Sequence, residues 1–166
     1  MFDHSLFQEN VSLKDRNTYR VGGNARYFFE AKDADALVSA VRYAHKNNVA
    51  YFILGGGTNV LVPEEGFDGV VIKVDHQSIE VRGDELYADA GIPMGALVAR
   101  AAALSLSGLE WAAGLPGTLG GAIFGNAGSH GGETKDAIGE VEVFDVARDT
   151  VKSITAKECG FEYRHS

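Results

Sequence analysis

The chain has 166 residues, 45% hydrophobic and 23% charged, the balance of a globular protein able to bury a core rather than of a disordered tail. Its net charge of -8, from 15 basic and 23 acidic side chains, disfavours a nucleic-acid backbone as partner, because that needs a positive surface. No apolar run reaches the roughly 18 residues of a membrane span, residues 1–10 lack the basic start of a secretory signal, and the single cysteine, Cys159, suits a reducing compartment. The location expected is the cytoplasm, with no membrane partner.

Asp33 opens a predicted helix, with Leu37, Ala40, Val41 and Ala44 on one face and Asn47-Asn48 as its stop. Tyr51-Phe52-Ile53-Leu54 reads as a buried strand running into three glycines, and Val70-Val71-Ile72-Lys73-Val74 as the next strand. Two short strands flank Gly83-Asp84, a hairpin signal. Pro93 starts an alanine-rich helix over residues 95–106, closed by Gly108. Residues 140–146 alternate like a half-buried strand and turn at Ala147-Arg148-Asp149 toward another. Thr155 and Glu158 have capping-box spacing. Composition and pattern shift between Pro63 and Gly69, mixed before and mostly hairpins after. The fold class expected is α+β in two lobes, a mixed α/β subdomain over residues 1–66 and an antiparallel sheet with helices over 67–166.

Glycine supplies the main lead, 21 of 166 residues against roughly 7% in average usage. After the strand ending at Leu54, Gly55-Gly56-Gly57-Thr58-Asn59 can turn successive N–H groups toward one point, a nest for an anion, with Thr58 and Asn59 adding side-chain donors. A tight glycine turn joining two strands is the alternative. Neither the Rossmann fingerprint nor a Walker A sequence is present. Residues 114–128 form a second glycine-rich segment. Proline at 116, in a first helical turn and followed by glycines, would leave N–H groups free to meet a flat ring rich in acceptors; a small-residue helix packed against a sheet is the alternative there.

These segments occur in an order that is recognisable: Asn17-Thr18-Tyr19-Arg20-Val21-Gly22-Gly23, the turn at residues 55–61, residues 108–133, then Phe161-Glu162-Tyr163-Arg164-His165-Ser166. The chain, from about Leu6 onward, resembles the UDP-N-acetylenolpyruvoylglucosamine reductases of peptidoglycan precursor synthesis. Gly125 and Ser129-His130 depart from the family pattern. The resemblance implies an FAD-binding domain of two subdomains, of the PCMH-type flavoprotein superfamily, without the C-terminal substrate domain. It implies FAD and NADPH as cofactors and UDP-N-acetylglucosamine enolpyruvate as the small-molecule substrate, whose double bond receives hydride from reduced flavin. Carried over residue by residue, Gly55, Gly56, Gly57, Thr58 and Asn59 would cradle the FAD pyrophosphate, and Gly114, Gly117, Thr118, Gly121 and Asn126 would line its ribityl and isoalloxazine part. Arg164 matches the arginine of a Tyr-Arg-x-Ser motif, the candidate catalytic residue, a fixed cation for enolate charge. The family's proton-donating serine and its glutamate lie beyond that motif, so Ser166 is the motif serine, and the chain alone is expected to be inactive.

Other residues give bland readings. The five histidines show no helical metal-pair spacing, so no metal is expected. His130 and Glu133 read as a solvated loop, Cys159 as a half-buried small side chain, and Trp111 and Phe124 as core. Two rival functions remain at this level. One is another flavin oxidoreductase of the same superfamily, such as an oxidase with covalently held FAD; the other is a non-catalytic flavin-binding domain.

Overall fold

The computed structural model describes residues 6–166. The chain divides into two compact units, the first ending at His76 and the second running from Gln77 to Ser166.

Among the described residues, the first unit is a four-stranded sheet with one helix. Strands β1 (Gln8–Ser12), β2 (Asn24–Ala31), β3 (Tyr51–Leu54) and β4 (Phe67–Val74) lie in the order β1-β2-β4-β3. β1 is antiparallel to β2, whereas β2 and β3 both run parallel to β4. The central position of β4 explains its sequence: a strand covered on both faces reads as a continuous apolar run, and Val70, Val71 and Ile72 are buried. Helix α1 (Ala34–Lys46) begins where the Asp33 carboxylate accepts the Ala36 N–H at 2.7 Å. It buries Ala40, Val41 and Ala44 and stops at Asn48, whose φ of 53° is left-handed. Leu13, Ala25, Phe28, Leu54 and Val71 form one core cluster, and the Phe7 ring meets those of Phe29 and Tyr43 at 5.7 Å.

The second unit has three separate two-stranded hairpins and two helices. β5 (Ile79–Arg82) pairs with β6 (Glu85–Ala88) around Gly83-Asp84, β7 (Gly128–Ser129) with β8 (Gly132–Glu133), and β9 (Glu140–Asp145) with β10 (Thr150–Thr155). Helices α2 (Met94–Ala103) and α3 (Leu119–Phe124) start side by side: Met94 N–H donates to Gly117 O at 3.0 Å and Leu119 N–H to Ile92 O at 2.9 Å. Ile92, Met94, Leu97, Ala112, Leu119 and Ala122 make the core beneath that clip.

Several sequence expectations are corrected by this arrangement. The division falls after His76 rather than after Gly66, because β4 is hydrogen-bonded between β2 and β3 and belongs to the first sheet. The region beyond it holds hairpins rather than one antiparallel sheet. β3 is an edge strand, not a buried one, with Phe52 40% and Ile53 41% exposed. Helix α2 ends earlier than residue 106, at a left-handed Ser105 (φ 57°), so Gly108 does not close it. Pro116 precedes α3 instead of sitting in its first turn, and Thr118 is the cap. Phe124 is 79% exposed and takes no part in the core. Strands β1 and β2 carried no recognised signal at all. Trp111 does pack against the second core, and Cys159 is half-buried.

Candidate functional site

The first glycine segment leaves the sheet at the carboxyl end of β3. Parallel β2, β3 and β4 all end on that side, which is where open α/β sheets take ligands. Gly57 has a φ of +67°, and a Cβ there would lie 2.2 Å from Arg16 O and 2.9 Å from Asn17 Cα, so no other residue fits without moving the backbone. Its carbonyl accepts both the N–H and the hydroxyl of Thr18, each at 3.0 Å. Two residues earlier the Gly55 carbonyl accepts the Lys73 ammonium. Among the described residues, the amides of Gly56, Gly57, Thr58 and Asn59 donate no hydrogen bond to the rest of the chain. Gly57 is buried, and a buried N–H without a partner is rare in a folded protein.

Charge collects below this turn. Arg16 pairs with Glu30 at 3.3 Å, and Lys32 bridges Glu30 at 3.3 Å and Asp75. The hydrogen bond from Lys32 holds the Asp75 carboxyl below its ordinary range. Lys73 is half-buried, and that burial lowers its ammonium pKa.

In the second unit, Gly114 (φ +84°) and Gly117 (φ +104°) bend the chain ahead of α3. Thr118 is 7% exposed, and its hydroxyl has no hydrogen-bond partner among the described residues. The two helical glycines that follow differ in kind. A Cβ on Gly120 would press on Ala90 Cβ at 2.8 Å, whereas one on Gly121 would meet only the Thr118 hydroxyl, at 3.6 Å. Gly120 therefore serves packing, while nothing among the described residues calls for a glycine at 121.

Asn126 is placed differently from the lining role expected of it. It is fully buried with a φ of 37°, and its side chain is spent on the fold. The amide donates to Glu133 Oε2 at 2.8 Å and Glu162 O at 2.9 Å, and the carbonyl oxygen accepts the Lys135 N–H at 3.1 Å. It thus ties the end of α3 and the β7–β8 hairpin to residues 162–166. Arg164, left-handed at φ 59°, points both terminal nitrogens at Gly128 O at 3.4 Å and remains exposed. The Ser166 hydroxyl donates to Phe124 O at 3.0 Å, a structural bond. His130 is exposed, with its Nδ1 2.7 Å from Ser129 Oγ.

Thr18 and Lys73, which hold the carbonyls of the first turn, escaped the sequence reading. An ionisable residue inside an apolar strand run was the available signal for Lys73. Among the described residues no cluster of His, Cys, Asp and Glu could hold a metal, and no helix is long and apolar enough to cross a membrane.

Residues 25–155 match the model of the FAD binding domain family, and the chain belongs to that family: it is a flavoprotein domain. Across its length it is similar to UDP-N-acetylenolpyruvoylglucosamine reductases. It is 39% identical over 160 residues to that of Carboxydothermus hydrogenoformans, covering 95% of this chain and 53% of the relative. It is 35% identical to that of a Synechococcus strain, covering 100% of this chain and 55% of the relative. The crystal structure of the Thermus caldophilus reductase superposes with a TM-score of 0.79 at 35% identity, over 96% of this chain and 57% of that one. A solvent-stable cholesterol oxidase shares the fold alone, at TM-score 0.61 and 16% identity. The fold is that of the PCMH-type flavoproteins, α+β as expected, and the chain spans about half the length of the reductases it matches.

The residues present fit FAD on structural grounds. The unpartnered amides of Gly56, Gly57, Thr58 and Asn59 suit an anion, and the orphaned Thr118 hydroxyl beside the open Gly121 suits an approaching polar ligand.

Proposed function

We propose that the chain is the FAD-binding portion of an NADPH-dependent reductase that converts UDP-N-acetylglucosamine enolpyruvate to UDP-N-acetylmuramate in the cytoplasm, serving peptidoglycan synthesis. The observation that carries this reading is the likeness to the Thermus caldophilus reductase over 96% of the chain. FAD, when bound, supplies the two-electron carrier that no side chain provides. The chain's own residues bind and orient it. Gly55 opens the turn, Gly56, Gly57, Thr58 and Asn59 receive the pyrophosphate on free N–H groups, and Gly114, Gly117, Thr118 and Gly121 receive the flavin part, Thr118 with its hydroxyl. Asn126 contributes by holding residues 162–166 in place. Arg164 is the catalytic residue in this portion, a guanidinium that stabilises negative charge developing on the substrate.

The test is an absorption spectrum of the purified chain after incubation with FAD and removal of the unbound cofactor, followed by NADPH. A retained flavin band is expected. Bleaching of that band by NADPH would extend the reading to the first half-reaction. A cooperatively folded chain that retains no flavin would refute the cofactor assignment.

A further inference from the structure

We infer that Lys73 and Thr18 are positioning residues of the glycine turn, a pair of peptide clamps that aim the amides of Gly56 and Thr58 at an anionic ligand. The inference rests on the reading of that turn as a diphosphate site and assigns a role to two side chains outside it. In a trans peptide the carbonyl and the following N–H are fixed on opposite sides, and the chain has no cis peptide among the described residues. Whatever holds the Gly55 carbonyl therefore sets the direction of the Gly56 N–H, and whatever holds the Gly57 carbonyl sets that of the Thr58 N–H.

Both carbonyls are held. The Lys73 ammonium bonds to Gly55 O, and Thr18 places its N–H and its hydroxyl on Gly57 O at 3.0 Å each. The amides on the far side of those two peptides have no partner among the described residues. Glycine turns are otherwise free to flip such peptides, since Gly populates both signs of φ at little cost. Without clamps, binding would have to freeze the turn into its donating state and would lose affinity accordingly.

The lysine is well placed for this. It stands opposite Leu54 in the β3–β4 register, one residue before the turn, and opposite Glu30 on the other side. Burial, with Arg16, lowers its ammonium pKa, and Asp75 and Glu30 oppose that shift. A charge-assisted bond to a carbonyl exceeds a neutral one, which justifies an ammonium in a half-buried place. Thr18 lies in the Asn17–Gly23 segment of the sequence, whose function is otherwise unassigned. Its hydroxyl reaches the same oxygen as its backbone, so the second clamp is doubled.

The test titrates FAD and, separately, ADP into the chain, comparing Lys73→Met and Thr18→Val with the unaltered protein, and Lys73→Arg and Thr18→Ser as conservative variants. Lys73→Met is expected to lose about ten-fold in affinity for FAD and for ADP alike, and Thr18→Val, which keeps its backbone N–H on Gly57 O, about three-fold. At saturating FAD the visible flavin band should be unchanged, because the loss is at the diphosphate end. Lys73→Arg and Thr18→Ser should recover most of the affinity. Equal affinities in folded Lys73→Met and Thr18→Val chains would overturn the inference. So would a loss confined to FAD, or a loss matched by a proportionate drop in the melting temperature of the ligand-free chain. If the unaltered chain binds neither FAD nor ADP, the diphosphate reading itself falls, and the clamps with it.

Discussion

Neighbouring glycines in the first turn have separable duties. Gly57 is needed by the fold, since any side chain would strike Arg16 O at 2.2 Å from a left-handed backbone. Gly56 is exposed and its φ is not positive. Gly57→Ala should therefore destabilise the chain by about 2–4 kcal/mol, combining overpacking with the left-handed penalty, seen as a lower urea midpoint. Gly56→Val should keep the midpoint nearly unchanged and lose FAD, because its branched side chain would screen the free amides. A folded Gly56→Val chain with full flavin content would contradict the proposed pyrophosphate role. The glycine-rich pattern was visible in the sequence at both positions. What separates them was not, because it depends on Arg16 and Asn17, far away along the chain. The same limit hid Lys73, whose meaning comes from a carbonyl on the adjacent strand.

Among the elements, the β7–β8 hairpin and residues 162–166 depend on one buried amide. Asn126 joins Glu133, Lys135 and Glu162, and Glu133 is held below its ordinary pKa first by Lys135 and then by Asn126. A carboxylate with a depressed folded pKa contributes stability that is complete above its unfolded pKa and vanishes as pH falls through the folded one. Acidification should thus loosen this knot. The protection of the Lys135 amide, bonded to Asn126 Oδ1, measured against its intrinsic exchange rate at each pH, should fall on descending through and below the usual carboxylate range. Asn126→Ala should lower that protection at neutral pH. Protection of that amide indifferent to both would refute the hub. Helix α1 was legible to its ends because capping chemistry is local, as Asp33 and Asn48 illustrate. β1 and β2 were not, since their pairing joins residues such as Glu9 and Tyr27 across the chain, and β3 was misjudged because burial is decided by position in the sheet.

For the molecule as a whole, two compact units with separate core clusters carry one glycine segment each. Family membership was legible from the order of short motifs, whereas the division after His76 required knowing which strands pair with β4. A ligand that binds only the folded state raises stability by mass action, about 2.7 kcal/mol at a hundredfold excess over Kd. FAD at that excess should raise the melting temperature of the chain, and riboflavin, lacking the diphosphate, should raise it less. An identical shift from both would argue against any anchoring of phosphate. The exposed edge of β3 bears on how the molecule behaves in crowded solution. A free strand edge is a template for the next chain, and in this one Phe52 and Ile53 are each about two-fifths exposed. Its four residues offer few bonds for propagation, and a net charge of -8 keeps copies apart at low ionic strength. In about 1 M salt, where repulsion reaches only about 3 Å, that protection fades, so light scattering by the purified chain should rise with salt and fall back in an Ile53→Lys variant of the β3 edge.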